Sequence, residues 1–95
     1  MQQMSISQLK EKLTDKNSLF LLDVREVYEH EDFDIGGEVI PLGEIIRKAG
    51  QIPTDKPVVV YCHKGVRSQI AIQRLEGKFG FTNLFNLQGG LESWF

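Results

Sequence analysis

Two short runs of continuous apolar sequence constrain the fold of this chain more than any other feature. They occupy residues 19–24, where Asp23 interrupts the run near its end, and residues 58–61, where three valines precede a tyrosine. A strand buried on both faces reads as such a run, whereas a half-exposed strand alternates apolar with polar residues. The stretch between the two runs is too long for a hairpin, so we expect parallel strands joined by a crossover connection.

Apolar residues at helical spacing lie before and after these runs. Ile6, Leu9 and Leu13 share one face of a short first helix, for which Ser5 or Ser7 supplies the cap. Two further helices are predicted from Leu42, Ile45, Ile46 and Ala49, ended by Gly50, and from Ala71, Ile72, Leu75 and Phe79, ended by Gly80, the latter starting at about Arg67 or Ser68. Because predicted strands and helices alternate, the fold class is α/β, a small parallel sheet flanked by helices on both faces.

Shorter segments complete the predicted order of elements. Residues 25–35 are acidic and weakly periodic, which predicts one helical turn followed by a loop. Residues 39–40 predict a minor strand and residues 84–87 a last strand. A glycine-containing turn at 88–90 then leads into a closing segment at 91–95.

Length and composition limit the range of functions. The 95 residues allow one domain, spanning residues 1–95, with 41% hydrophobic and 25% charged residues and neither a low-complexity tract nor a repeat. A net charge of -2 gives no general footprint for nucleic acid. The apolar runs are too short to cross a membrane, and the N-terminus lacks the features of a secretory signal. We therefore expect a soluble, cytoplasmic protein with neither a nucleic-acid nor a membrane partner.

The only cysteine ends the second apolar run and opens a basic turn. His63, Lys64, Gly65 and Arg67 follow Cys62 closely, and the first amides of the predicted third helix are unpaired donors that point back toward this turn. With the positive end of the helix dipole and the side chains of Lys64 and Arg67, they form a predicted anion-binding cup around the sulfur. A thiol in such a cup ionises easily. Free cysteines are often inert core residues, but an inert one has no need of these neighbours, so we interpret Cys62 as reactive.

A single cysteine also limits the chemistry. It excludes an internal disulfide, a CxxC redox pair and a cysteine-rich zinc site, and His30 stands in an acidic segment away from other histidine or cysteine residues. We therefore predict no metal site and no cofactor, and we expect His30 at the surface. Without a second thiol, any oxidised or sulfur-loaded form of Cys62 must be discharged by another molecule.

Asp23 and Cys62 each stand at the end of a predicted parallel strand, as does the turn at 88–90. Ligands of open α/β sheets bind beyond the carboxyl ends of the strands, so we expect these residues at one edge of the sheet. Asp23 either accepts hydrogen bonds from Arg67 or the loop amides, or caps the turn that follows it. Both alternatives fit the sequence.

Four blocks of sequence, in this order, resemble the single-domain rhodaneses, a family of thiosulfate and persulfide sulfurtransferases. They are residues 21–26, residues 40–42, a catalytic-loop block at 60–68, and a closing block formed by residues 80–84 and 87–94. The resemblance covers most of the chain. It implies a rhodanese-like fold and the transfer of a sulfane sulfur.

The resemblance also implies a covalent mechanism centred on Cys62. This cysteine would attack the outer sulfur of a small anionic donor, thiosulfate or a persulfide, and hold it as a persulfide. An external thiol, a protein acceptor or cyanide would then remove the sulfur. By resemblance, Lys64 helps to bind the donor. We predict Asp23 as a supporting residue, and as donor-binding residues the loop residues His63, Lys64, Gly65, Val66, Arg67 and Ser68.

Two other functions of this fold stay open from the sequence. One is a recognition module whose loop binds a partner without turnover, although the intact set of Cys62, Lys64, Gly65 and Arg67 favours the enzyme. The other is a phosphatase, but four residues separate Cys62 from Arg67, as in the sulfurtransferases, whereas the related phosphatases have a longer loop that accommodates phosphate. His63 stands where some thiosulfate-using members carry arginine, so thiosulfate is predicted to be a poorer donor than a persulfide.

Overall fold

Strands and helices alternate along the chain, as the sequence predicts. The structure, a computed structural model, describes residues 1–94, and of Lys16 the backbone only; Phe95, the last residue of the predicted closing segment, lies outside the described residues. The elements are β1 (Gln2–Met4), α1 (Ile6–Lys12), β2 (Phe20–Asp23), α2 (Val27–Asp32), β3 (Glu38–Val39), β4 (Val58–Tyr61), α3 (Val66–Phe79) and β5 (Leu84–Leu87). Short 3₁₀ segments occupy Lys16–Ser18, Leu42–Glu44, Ala49–Gln51 and Gly90–Ser93.

The described strands form one parallel sheet in the order β1-β5-β4-β2-β3. In its register, Asp23 of β2 lies opposite Tyr61 of β4, and Val60 of β4 lies opposite Asn86 of β5. The prediction of an α/β fold with a small parallel sheet is therefore confirmed. Because β4 is central, Cys62 at its carboxyl end lies between the ends of two neighbouring strands.

Helices cover both faces of this sheet. Val58 and Val60 pack with buried residues of α3, whereas Val59 and Tyr61 pack on the opposite face with Leu9 of α1. All four residues of β4 are fully buried, which explains why this strand reads as a continuous apolar run. The two cores hold β4 from both sides and fix the position from which the loop after Cys62 starts.

The prediction of a helix across residues 42–49 is wrong. The chain there forms two separate 3₁₀ segments joined by turns, with bonds such as Ile45 N to Leu42 O at 3.2 Å and Ala49 N to Ile46 O at 3.3 Å. Two glycines, Gly43 and Gly50, flank a stretch too short to stabilise an α-helix in water. The tighter 3₁₀ turns also bury Ile45 and Ala49 in the core. The apolar spacing therefore predicted which residues are buried, but not the type of helix.

Sequence reasoning did not find β1. Its residues Gln2 and Gln3 are exposed and polar, and only Met4 is buried. The strand exists because it pairs with Phe85, Asn86 and Leu87 of β5, a tertiary contact that carries no local signal. In the part of the chain that the structure describes, no helix has both the length and the apolar character needed to span a bilayer.

Candidate active site

The sulfur of Cys62 lies where the loop turns back into α3. Two backbone amides point at it: the N–H of Gly65 donates to Sγ at 3.0 Å, and that of Ser68 donates at 3.4 Å. The residue is only 1% exposed. These amides belong to the start of α3, so the sulfur receives the unpaired donors and the positive dipole end of the helix, as the sequence predicts.

The conformation of Gly65 makes this convergence possible. Gly65 precedes α3 as its N-cap with a φ of +95°, in the left-handed region where side chains are strained. An added Cβ would meet only ordinary contacts, the nearest being Gly89 N at 3.6 Å. The requirement for glycine is therefore conformational, and it serves to aim the Gly65 amide at the sulfur.

A second glycine, Gly90, packs closely against the backbone of the cysteine loop. Gly90 has a φ of +61°, and an added Cβ would lie 2.5 Å from the carbonyl oxygen of His63 and 2.6 Å from that of Cys62. The same carbonyls accept hydrogen bonds from Leu91 N and Glu92 N, each at 2.9 Å. The loop carbonyls are thus bonded to the 3₁₀ segment Gly90–Ser93, which leaves the loop amides to face the sulfur.

A shallow pocket of about 280 Å³ opens above this loop. Exposed residues of the predicted site form its rim, and the volume suits a small donor. The lining residues are Cys62, His63, Lys64, Val66 and Arg67. A larger groove of about 780 Å³ lies near Phe79 and Phe81 at the opposite end of the sheet and contains none of the predicted site residues.

Arg67 is not a free cation of the cup, and that part of the prediction is corrected. Its guanidinium binds the carboxylate of Glu29 on α2 in a bidentate pair, with distances of 2.6 and 3.0 Å. The hydrogen bond from Arg67 lowers the pKa of Glu29 to about 2, and the same bond raises the pKa of Arg67. Arg67 lines the pocket with its charge offset by Glu29, so it adds less attraction for an anion than the sequence implies.

Asp23 caps its own turn, which is one of the two roles that the sequence allows. Its carboxylate accepts from the backbone N–H of Arg25 at 3.0 Å and from the Arg25 guanidinium at 2.8 Å. Both residues are buried. The alternative bond from Arg67 is wrong, since Arg67 donates to Glu29. Asp23 therefore shapes the strand end next to the cysteine loop and makes no described hydrogen bond to that loop.

His30 is only partly exposed, which corrects the prediction of a surface position. Its ring lies against two carboxylates, with Nδ1 2.9 Å from Asp23 and 3.3 Å from Asp34, and the side chain is 23% exposed. These three residues offer ligand atoms within 4.8 Å of one another, a spacing that a metal ion could use. The guanidinium of Arg25 already supplies positive charge there, 2.8 Å from Asp23 and 4.0 Å from Asp34. Arg25 thus offsets the charge of one of the two carboxylates.

Ser68 connects the sulfur to a residue that sequence reasoning missed. The Ser68 hydroxyl oxygen lies 3.5 Å from Cys62 Sγ and 2.5 Å from the amide oxygen of Asn86. Asn86 is 2% exposed in the middle of β5. A polar residue inside an otherwise apolar strand is the signal that could have revealed it. Glu29, in contrast, stands in an acidic segment among similar residues and carries no such signal.

Known proteins are similar to this chain in sequence. The "Putative sulfur carrier protein YrkF" of Bacillus subtilis is 36% identical over 93 residues, which are 97% of this chain and 50% of that protein. The "Thiosulfate sulfurtransferase GlpE" of Coxiella burnetii is 30% identical over 84 residues, which are 87% of this chain and 78% of that protein. The chain thus spans only about half the length of the Bacillus relative.

A solved structure matches the fold of this chain, and a family model gives its family. The crystal structure of SSP1007 from Staphylococcus saprophyticus matches with a TM-score of 0.87 and 28% identity, over 100% of this chain and 94% of that one. The model of the rhodanese-like domain matches residues 5–95, a span that includes the cysteine loop and both glycines that shape it. On this match, the chain belongs to the rhodanese-like domain family.

Proposed function

We propose that this protein is a sulfurtransferase that carries one sulfur atom on Cys62 as a persulfide. The observation that carries the proposal is the convergence of the Gly65 and Ser68 amides on Sγ, since such donors stabilise a thiolate and the anion of a persulfide. The names of two relatives, a sulfur carrier and a thiosulfate sulfurtransferase, support the same chemistry.

The proposed reaction consists of two displacements at sulfur. The Cys62 thiolate attacks the outer sulfur of the donor, the donor's sulfur–sulfur bond breaks, and the remainder leaves with the electron pair, as a thiolate from a persulfide or as sulfite from thiosulfate. An acceptor thiolate or cyanide then attacks the outer sulfur held on Cys62. The bond to Sγ breaks, its electron pair returns to Cys62, and the starting thiolate is restored. Covalent catalysis divides one transfer into two easier steps.

The charges around the pocket favour a donor with one negative charge. Glu29 offsets the charge of Arg67, and His63 adds no permanent charge, so Lys64 is the lining residue whose full positive charge faces an incoming anion. The reacting group of a persulfide carries one negative charge, whereas thiosulfate carries two. We therefore infer that a persulfide is the better donor and that thiosulfate is used weakly.

The acceptor in this proposal comes from outside the chain. Cys62 is the only cysteine, so its persulfide cannot be resolved by an internal thiol. An external thiol, on a small molecule or a protein, fits this requirement, and a reduced compartment such as the cytoplasm supplies it. The site needs no resident cofactor, because the reacting groups are sulfur atoms of Cys62, the donor and the acceptor.

Intact-protein mass spectrometry tests the proposal. After treatment with a low-molecular-weight persulfide, and after removal of the donor and the thiol that it releases, the chain should retain the added mass of one sulfur atom and lose it when cyanide is added. Cys62→Ser is the matched control, which should fold and gain nothing because a serine hydroxyl forms no persulfide. If neither a persulfide nor thiosulfate loads sulfur on a chain whose Cys62 can be alkylated, the protein is a binding module and the proposal fails.

A further inference from the structure

A buried line of polar side chains connects the active-site sulfur to the edge of the sheet. Ser68 and Asn86 are 0% and 2% exposed, and the Ser68 hydroxyl lies 2.5 Å from the Asn86 amide oxygen. The Asn86 amide nitrogen donates to the side-chain oxygen of Gln3 at 2.9 Å, on the neighbouring strand β1. The line thus runs from Cys62 through Ser68 and Asn86 to an exposed residue.

The position of the Ser68 hydroxyl hydrogen determines how these side chains act on the Cys62 sulfur. A serine hydroxyl has one hydrogen, and an amide oxygen only accepts. The hydrogen of Ser68 must therefore lie on the side of Asn86, because Gln3 accepts from the Asn86 nitrogen and so turns the amide oxygen toward Ser68. The hydroxyl oxygen then faces Sγ, 3.5 Å away, with a lone pair. A neutral Cys62 thiol can donate to that lone pair, whereas a thiolate gains nothing from it.

We propose that Asn86 is a positioning residue that holds the Ser68 hydroxyl hydrogen away from Cys62 and thereby favours the neutral thiol at rest. When the hydroxyl rotates toward the sulfur, the thiolate gains a third donor beside the amides of Gly65 and Ser68. Asn86 therefore limits how much of the reactive thiolate is present before a donor arrives. The consequence for turnover rests on the proposed function, but the effect on thiol reactivity does not.

Other charged groups near Cys62 are unchanged by a substitution at Asn86. Lys64 and Arg67 line the pocket with the titratable His63, and Glu29 binds Arg67 from α2. On the neighbouring strand end, the buried carboxylate of Asp23 is paired with Arg25 and His30, and Glu92 lies on the 3₁₀ segment that bonds the loop. A change in reactivity on substituting Asn86 thus reports the hydrogen bond and not a change in charge.

The test is the rate at which iodoacetamide alkylates Cys62 at neutral pH in folded variants. Asn86→Val removes the acceptor, so the Ser68 hydroxyl turns to the sulfur; we expect alkylation about tenfold faster than in the unchanged protein, the effect of one hydrogen bond to a charged group. In a Ser68→Ala background the same substitution should change the rate by less than about twofold, since the hydrogen that it releases is absent.

Two outcomes would overturn the inference. One is an alkylation rate that Asn86→Val leaves unchanged, and the other is an equal acceleration with and without the Ser68 hydroxyl. Asn86→Ala, which is smaller and also accepts no hydrogen bond, carries the same expectation if the valine variant does not fold. Because alkylation requires no sulfur donor, a failure here is distinguishable from a failure of the sulfur-loading test.

Discussion

Two neighbouring strand ends in this protein differ in the groups that surround their functional side chains. At the end of β4, two backbone amides donate to the Cys62 sulfur. Their positions are fixed by the backbone, and they do not ionise near neutral pH. At the end of β2, the neighbouring strand, Asp23 is surrounded by side chains, with Arg25 and His30 in contact with its carboxylate. At the first end, backbone donors bind a sulfur that lines a pocket. At the second, side-chain donors bind carboxylates within the cluster.

The difference explains which strand end can react. The Asp23 cluster is closed, because the Arg25 guanidinium also donates to the carbonyl oxygen of Phe33 at 2.6 Å and the buried Tyr61 hydroxyl donates to Asp34. Burial, and then the bond to Asp34, raises the pKa of Tyr61, so its hydroxyl stays neutral. A closed cluster of charged groups stabilises one conformation. Fixed backbone amides, in contrast, can donate to the sulfur both before and after it reacts with a donor.

Removing the centre of the closed cluster should have the largest effect on stability. Asp23→Asn removes the carboxylate that binds the buried Arg25 at 2.8 Å and leaves Asp34, 4.0 Å away, as a more distant anion, so we expect a loss of about 3 kcal/mol in the free energy of unfolding. Chemical denaturation measures it, with Asp55→Asn, an exposed aspartate, as the control. A loss no larger than that of the control would show that the cluster does not stabilise the fold.

Gly90→Ala should disturb the open strand end by displacing the backbone of the cysteine loop. Gly90→Ala places a Cβ against two carbonyls of the cysteine loop, and we expect a loss of about 2 kcal/mol in unfolding free energy together with slower sulfur loading. Gly77→Ala is the matched control: Gly77 lies in α3 with open space around its Cβ position, so the same substitution there should stabilise by about 0.5–1 kcal/mol. Equal effects at both positions would contradict the proposed role of Gly90 in packing against the loop.

The pair between Arg67 and Glu29 lies at the boundary of the two regions. Glu29→Gln removes the negative charge and leaves Arg67 as a full cation at the pocket, so the KM for thiosulfate should fall by about fivefold to tenfold. Glu31→Gln, on the exposed side of the same helix, makes the same change in net charge and should leave the KM unchanged. Equal effects of the two variants would mean that overall charge, and not the release of Arg67, sets the affinity.

The contribution of the Glu29–Arg67 pair to stability should depend on pH. The pKa of Glu29 is lowered from 4.5 to about 2 by the bond from Arg67, so its contribution is fully present above pH 4.5 and is lost as the pH falls toward 2. The difference in unfolding free energy between the unchanged protein and Glu29→Gln, about 1 kcal/mol at neutral pH, should shrink across that range. A difference that stays constant down to pH 2 would show that the ion pair does not cause it.

The sequence predicted elements whose signals are local. The run at 58–61 and the apolar spacing after Ser68 match β4 and α3, and Ser5 forms the capping box that starts α1. The cysteine loop was also readable, because a strand end, a glycine and a helix start occur within a few residues. These features depend on neighbours in the chain, which is why one sequence was enough to predict them.

Features that depend on distant partners were missed or misjudged. Glu29 and Arg67 are 38 positions apart, and no spacing rule pairs them. β1 exists through its pairing with β5, and His30 is drawn inward by Asp23 and Asp34. The charge of the pocket was therefore overestimated from sequence, although its backbone was placed well. The side chains that set charge come from other elements, whereas the amides come from the loop itself.

The smallest expected effect comes from adding a cation to the open strand end. His63 is exposed at the rim of the pocket, so His63→Arg adds a permanent positive charge near a bound donor without touching the amides around the sulfur. We expect the KM for thiosulfate to fall by about threefold, the size of a solvent-screened charge contact, and the KM for a persulfide to change less because it carries one charge. Gln73→Arg, an exposed position further along α3, is the control with the same added charge. An unchanged KM for thiosulfate would show that residue 63 does not contact the donor, and donor choice would then depend on Lys64 and the Arg67–Glu29 pair alone.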